Sequence, residues 1–166
     1  TVSVPANDSI AVDGIPLGAT CIVDSETADG GATRTDLGAS ATLTSTEVAG
    51  EITVTNTFEG GPLDIIKKRV GIAALSHGAG PFTVQVVCEW EPNGILTPIT
   101  LPGDGTLILD ADNNHRAQLP IMPVGTNCIV EETDARNATA TTMDPADGSI
   151  AIVQPGLFVA AASVTI

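Results

Sequence analysis

The chain has 166 residues, with 6 Lys and Arg against 20 Asp and Glu, and a formal net charge of −14. This charge excludes a nucleic-acid-binding surface, because few cations are present to neutralise phosphates, and it argues against binding to an anionic membrane. The length predicts one complete domain and a partial one, and the acidity is typical of a soluble, exposed polymer.

The chain order begins with a segment that occurs twice. Residues 17–27 reappear at 124–134, and their cysteines, Cys21 and Cys128, lie 107 residues apart. A fixed period of one domain length predicts a tandem array. We expect residues 1–60 to form the C-terminal part of a repeat domain and residues 61–166 to form a nearly complete second one.

Further alignments define what the first copy lacks. Thr1–Val4 aligns with Thr106–Leu109, and Glu51–Val54 aligns with Ser163–Ile166. The first copy therefore lacks its first half, including an equivalent of Cys88. At the position of the second copy's Glu132, this ungapped alignment places Ser25.

Short β-branched runs predict an all-β fold. Alternating apolar residues occur at 52–55, 82–90 and 151–153, and clusters of Gly, Pro, Asn and Asp separate such runs. The chain has 1 Trp, 3 Phe and no Tyr, so Val, Ile, Leu and Ala must supply the core. No run is long enough for a transmembrane helix, and we expect no membrane insertion in this segment.

A lysine occupies an inward position on a predicted strand. If Leu63 and Ile65 face the core, the alternation of a strand turns Lys67 inward as well. A buried lysine needs a partner, and Glu132 shares the inward parity of its own strand. Asn56 has inward parity on the last strand of the first copy. The alternative is that Lys67 lies near a strand end and extends to solvent.

The cysteines predict a disulfide. Cys88 and Cys128 both occupy inward positions of apolar runs, and we expect them to be bonded, which implies an oxidising, extracellular location. A zinc site is the alternative, but no Cys-x-x-Cys spacing is present. Cys21 would then pair with a cysteine that this sequence does not contain; a reactive thiol is the other interpretation.

The remaining polar residues give no catalytic set. Residues 110–114 offer oxygen ligands for calcium, but they lack the glycine and the closing glutamate of an EF-hand loop, which favours a solvated turn. We expect His77 and His115 to be surface turn residues. No nucleophile elbow or phosphate loop occurs, so we expect no enzyme and no cofactor or metal.

Three segments carry a family resemblance: 52–63, 80–84 with Cys88, and 125–133. They resemble disulfide-containing Ig-like repeats of actinobacterial, Gram-positive cell-surface proteins. The set Lys67, Glu132 and Asn56 is distantly similar to collagen-adhesin B-type domains, in which lysine and asparagine condense into an isopeptide bond and the acid shuttles protons. That chemistry needs burial, because desolvation favours the neutral lysine and the protonated acid.

This resemblance implies tandem Ig-like or transthyretin-like β-sandwich repeats. The expected function is structural, in a cell-surface stalk, adhesin shaft or pilus-like filament located at the cell surface or cell wall. Expected partners are neighbouring repeats or subunits, head to tail, with strand donation between chains as one way to complete the first domain. The alternative is a binding module that recognises a host protein or glycan through loops or a sheet face; scarce aromatic residues weigh against the glycan.

Overall fold

A computed structural model describes residues 1–27, 29–46, 48–136, 138, 140–153 and 162–165. The chain forms two compact units. Unit 1 comprises Thr1–Asp29 and Arg34–Asn56, and unit 2 comprises Gly30–Thr33 and Thr57–Ile166. Among the described residues, no helix is long and apolar enough to span a membrane.

The fold is all-β, as predicted, and its helical part is limited to a four-residue helix, α1 (Ala74–His77), and two 3-10 turns at Pro92–Gly94 and Pro102–Gly105. The strands are β1 (Thr20–Cys21), β2 (Arg34–Asp36), β3 (Ala41–Thr42), β4 (Thr55–Thr57), β5 (Gly60–Ile66), β6 (Phe82–Trp90), β7 (Thr97–Pro98), β8 (Thr106–Leu109), β9 (Arg116–Pro123), β10 (Asn127–Asp134), β11 (Ser149–Ala151) and β12 (Ala162–Thr165).

Unit 2 is built from two sheets. The larger has the order β11-β10-β6-β7, and β8 also pairs with β6, so that β7 and β8 share one edge of β6 while β10 takes the other. The smaller sheet has the order β12-β5-β9. β12 runs parallel to β5, and the other pairs of these two sheets are antiparallel.

The inner faces of these sheets share one core, which makes unit 2 a β-sandwich. On β6 the inward side chains recur at every second position, as the strand period requires. The buried apolar residues are Leu63 and Ile65 of β5, Leu119 and Met122 of β9, Phe82, Val84, Val86 and Cys88 of β6, Leu109 of β8, Cys128 and Val130 of β10, and Leu101 and Ile152 from connecting segments.

Unit 1 has short strands and no comparable core. β1 pairs with β3, and β2 pairs with β4. None of the described residues of unit 1 is buried, and Ile10, Val12 and Leu17 are exposed by about half of their surface. The apolar residues of this unit therefore lack the second layer that covers their counterparts in unit 2.

Two segments of unit 1 differ from the expectation of regular strands. Residues 1–4, which align with β8, are not in a strand, and residues 51–54 are likewise irregular, so that regular pairing begins only at Thr55. In unit 2, β8 is held by pairing with β6. Unit 1 contains no counterpart of β6, which explains why Thr1–Val4 stays irregular.

The repeated segment nevertheless folds into the same turn in both units. A Pro-x-Gly turn leads into the cysteine strand, and that strand pairs with the next one in the same register. The equivalent backbone hydrogen bonds, donor first, are Ala19 to Pro16 (3.2 Å) and Thr126 to Pro123 (3.1 Å), Gly18 to Leu43 (2.7 Å) and Gly125 to Ile152 (3.0 Å), and Leu43 to Ala19 (3.0 Å) and Ile152 to Thr126 (2.8 Å).

Candidate functional site: a buried lysine–glutamate pair

Lys67 and Glu132 form a buried ion pair. Lys67 follows the last residue of β5, and its backbone N–H donates to the carbonyl of His115 (2.8 Å), which keeps the chain extended and the side chain inward. Nζ lies 2.6 Å from Oε1 of Glu132, and the two side chains are 6% and 1% exposed. Lys67 therefore does not extend to solvent, and the predicted partner is the one it contacts.

The pair joins the two layers of the sandwich. Lys67 continues β5 of the three-stranded sheet, whereas Glu132 lies on β10 of the five-stranded sheet. Breaking such a pair by removing one partner is costly, because the other charge is left buried. Oε2 of Glu132 has no hydrogen-bond partner among the described residues, so one acceptor in the site is unused.

Two rings close the site. Nζ of Lys67 lies 4.8 Å from the centroid of the Phe82 ring, within range of a cation–π interaction. His115 packs edge-on against Phe82, with ring centroids 6.0 Å apart. His115 is only 6% exposed, so its predicted place as a surface turn residue is wrong. The residue does end a turn, but its ring packs on Phe82 instead of projecting into water.

A groove of about 540 Å³ adjoins the pair. Its lining includes four of the six cationic residues of the chain. These are Lys67, Lys68, Arg69 and Arg136. Val70 and Ile72, which also line the groove, are 90% and 105% exposed. Positive charge is thus concentrated beside the ion pair in an otherwise acidic protein.

The predicted disulfide is present between Cys88 and Cys128, with an S–S distance of 2.03 Å. The two residues are direct partners in the β6–β10 ladder and are 1% and 0% exposed. Cys21 is a free, half-buried thiol in unit 1. The disulfide therefore fastens two neighbouring strands of one sheet, whereas the Lys67–Glu132 pair connects the two sheets.

The third residue of the predicted set belongs to the other unit. Asn56 lies in unit 1, where its Nδ2 donates to Oε1 of Glu26 (3.0 Å) and its Oδ1 accepts from the hydroxyl of Thr35 (2.9 Å). Lys67 and Glu132 both belong to unit 2. Unit 1 thus holds an asparagine–glutamate pair and unit 2 a lysine–glutamate pair.

Glu26 is the residue that the sequence alignment missed. An ungapped alignment sets Ser25 opposite Glu132, but a one-residue insertion at Ser25 aligns Glu26-Thr27 with Glu132-Thr133. The matching Glu-Thr dipeptide was the signal that could have revealed it. With this gap, both copies carry a glutamate at the same place.

The calcium candidate at residues 110–114 is a hydrogen-bonded turn. Oδ1 of Asp110 accepts from the backbone N–H groups of Asp112 (3.0 Å) and Asn113 (3.2 Å), and Nδ2 of Asn113 donates to the Ile108 carbonyl (2.6 Å). No cluster of three or more potential metal ligands occurs among the described residues. His77 ends α1, and its side chain lies outside the described part.

A family model for a domain of unknown function, DUF5979, matches residues 1–59 and 64–165. The chain belongs to the DUF5979 family. The gap between the matched stretches, residues 60–63, falls at the start of β5. No curated protein and no solved structure matches the chain.

Proposed function

We propose that this DUF5979 chain is a structural repeat module of an extracellular cell-surface stalk, adhesin shaft or pilus-like filament, without catalysis. The observation that carries the proposal is the hydrogen-bonded cysteine turn that recurs at a 107-residue spacing, Cys21 in one copy and Cys128 in the other. Two adjacent stretches matched by one family model support the same interpretation. The kinship with actinobacterial surface repeats remains part of this proposal.

The mechanical role follows from how unit 2 is fastened. The Cys88–Cys128 disulfide closes a loop with a sequence separation of 40 residues, which cannot extend under load while the bond is intact. The Lys67–Glu132 pair resists separation of the two sheets. The surplus of acidic residues keeps neighbouring rods apart in solution.

Pulling the chain from its two ends tests this role. Reduction should lengthen the extension released by unit 2 by about 140 Å, because each of the 40 enclosed residues adds at most ~3.5 Å. A Cys21→Ser variant is the matched control, and its extension should be unchanged. If unit 2 unfolded at negligible force with its disulfide intact, the mechanical role would be wrong.

The resemblance to collagen-adhesin B-type domains extends the proposal to a covalent lock. The amine nitrogen of Lys67 would attack the carboxamide carbon of an asparagine on the last strand of the same domain, an amide bond would form, and ammonia would leave. Glu132 would carry the proton. β12 runs parallel to β5, toward the end where Lys67 lies, so residues that follow β12 continue in the direction of the ion pair.

This lock can be tested by extending the full chain. Ser163–Ile166 aligns with Glu51–Val54, so adding a copy of Thr55–Gly60 after Ile166 would supply the missing asparagine. The expected intact mass lacks one ammonia, and the loss survives reduction. Glu132→Gln, and an extension with alanine in place of asparagine, should abolish it. A mass explained by the disulfide alone would leave Lys67 and Glu132 as an ion pair and would reject the lock.

One observation favours a second candidate, a binding module. Four of the six cations line the groove beside Lys67, together with exposed apolar side chains, which suits an acidic peptide. Salt-sensitive binding of an acidic peptide, lost in Arg69→Ala and Arg136→Ala variants, would support this candidate. Absence of such binding would leave the structural role alone.

A further inference from the structure

We propose that unit 1 is a strand acceptor: a β6-type strand from a separate polypeptide segment inserts between residues 1–4 and 20–27 and forms a disulfide with Cys21. This inference rests on the repeat relationship of the proposed function, but not on its mechanical role. It follows from the internal comparison of two copies of one segment.

The first observation concerns the strand that carries the cysteine. In unit 2, β10 pairs with β11 at one edge and with β6 at the other, and it extends over eight residues. In unit 1, β1 keeps the counterpart of the β11 pairing, through β3, but no described strand lies at its other edge. β1 ends at Cys21, although Ile22 and Val23 repeat the sequence that continues β10.

The second observation concerns the start of the chain. β8 is aligned with Thr1–Val4, and in unit 2 it pairs with residues Phe82–Gln85 of β6. Thr1–Val4 forms no strand, and Val2 and Val4 are 55% and 50% exposed. Both irregular segments of unit 1 therefore correspond to strands that share one partner in unit 2, and that partner is β6.

The partner's chemistry can be taken from β6. An antiparallel strand with the pattern of Phe82–Trp90 would place apolar side chains at alternate positions and a cysteine opposite Cys21, as Cys88 lies opposite Cys128. In the same register, Val23 would face the counterpart of Val86. β6 of unit 2 is itself paired on both edges and bonded through Cys88, so the inserting strand is a different segment.

The bond would form by thiol–disulfide exchange. The Cys21 thiolate attacks the sulfur of the partner's cysteine, which enters as a mixed disulfide with a small thiol such as glutathione. The new S–S bond forms as the old one breaks, and the small thiol leaves with the electron pair. No other oxidant is consumed in this step.

A synthetic peptide of residues 80–91, with its cysteine as the glutathione mixed disulfide, tests the proposal on the full chain. The control peptide exchanges Val87 and Cys88, which moves the thiol to the opposite face of the strand without changing composition. We expect the native peptide to modify Cys21 about tenfold faster, since docking raises the effective concentration of the thiol. Intact mass and peptide mapping measure the rate and the site.

The accompanying measurement is amide hydrogen exchange. Docking should slow exchange at Ile22–Asp24, and a Cys21→Ser chain should show the same slowing reversibly, because the ladder does not depend on the bond. Equal rates for the two peptides, or modification without slower exchange, would overturn the proposal. A covalent dimer in which Cys21 joins Cys88 of a second copy would overturn the assignment to a separate segment. Each outcome leaves the pulling experiment on unit 2 unaffected.

Discussion

Two stretches of nearly the same sequence adopt different structures in this chain. After the cysteine, Cys128-Ile129-Val130 continues an eight-residue strand, whereas Cys21-Ile22-Val23 leaves the strand at once. Both are rich in β-branched residues, so intrinsic preference is the same. The difference is the neighbouring strand, which is present in unit 2 and absent in unit 1. Strand formation here depends on a partner more than on propensity.

Burial separates the two copies in a similar way. Ile129 and Ile22 point outward and are 60% and 69% exposed, so the alternation of the strand survives in both. The inward positions differ: Val130 is 2% exposed, whereas Val23 is only half-buried. A second sheet covers the first and not the second. The inward pattern of unit 1 is therefore complete in sequence but lacks its opposing layer.

The disulfide gives the largest expected difference between the units. Replacing Cys88 and Cys128 together by alanine should lower the free energy of unfolding of unit 2 by about 4 kcal/mol, the chain-entropy value for a loop of this length. Trp90, the one tryptophan of the chain, reports unfolding of this unit by fluorescence. Cys21→Ala is the matched control and should change nothing. An equal loss from both variants would contradict the comparison.

The ion pair gives the next effect. Glu132→Ala should destabilise unit 2 by about 3 kcal/mol, because the ammonium of Lys67 is left buried without its partner. The double variant Lys67→Met with Glu132→Leu should recover most of this loss, since it removes both charges. Denaturant titration followed by Trp90 fluorescence measures all three chains.

Glu26 provides the control in unit 1. It is exposed, so Glu26→Ala should change stability by less than about 0.5 kcal/mol. If the double variant were no better than Glu132→Ala, the loss would come from packing and not from an unpaired charge.

The turn glycines give the smallest effect. Gly125 has φ +86° and Gly18 has φ +81°, and an added Cβ would meet no atom within 4 Å at either site. Gly125→Ala should therefore cost unit 2 about 1 kcal/mol through backbone strain alone. Gly125→Asn should cost less, because asparagine tolerates this conformation. Gly18→Ala should leave unfolding of unit 2 unchanged. A larger loss for asparagine than for alanine would argue against backbone strain.

Local pattern was sufficient to predict part of the fold and the site. The run at 82–90 is a strand over its whole length, and its alternation placed Cys88 in the core beside Cys128. The same rule turned Lys67 inward, where it contacts Glu132. These predictions depend only on the period of a strand and on the need of a buried charge for a partner.

What failed depends on contacts that pattern does not contain. His115 has turn residues on its N-terminal side, yet its ring is buried because Phe82 offers a surface above the ion pair. Glu26 was missed because a single inserted residue changes the register of the alignment. Residues 51–54 alternate as a strand should, but regular pairing begins only at Thr55.

Amide hydrogen exchange of the unmodified chain tests the central claim most directly, because both copies are measured in one sample. We expect slow exchange at Ile129–Glu132, where β10 lies between two strands, and rapid, unprotected exchange at Ile22–Asp24. Equal protection of the two stretches would show that the segment forms a stable strand without β6, which would contradict this account and remove the basis for strand insertion.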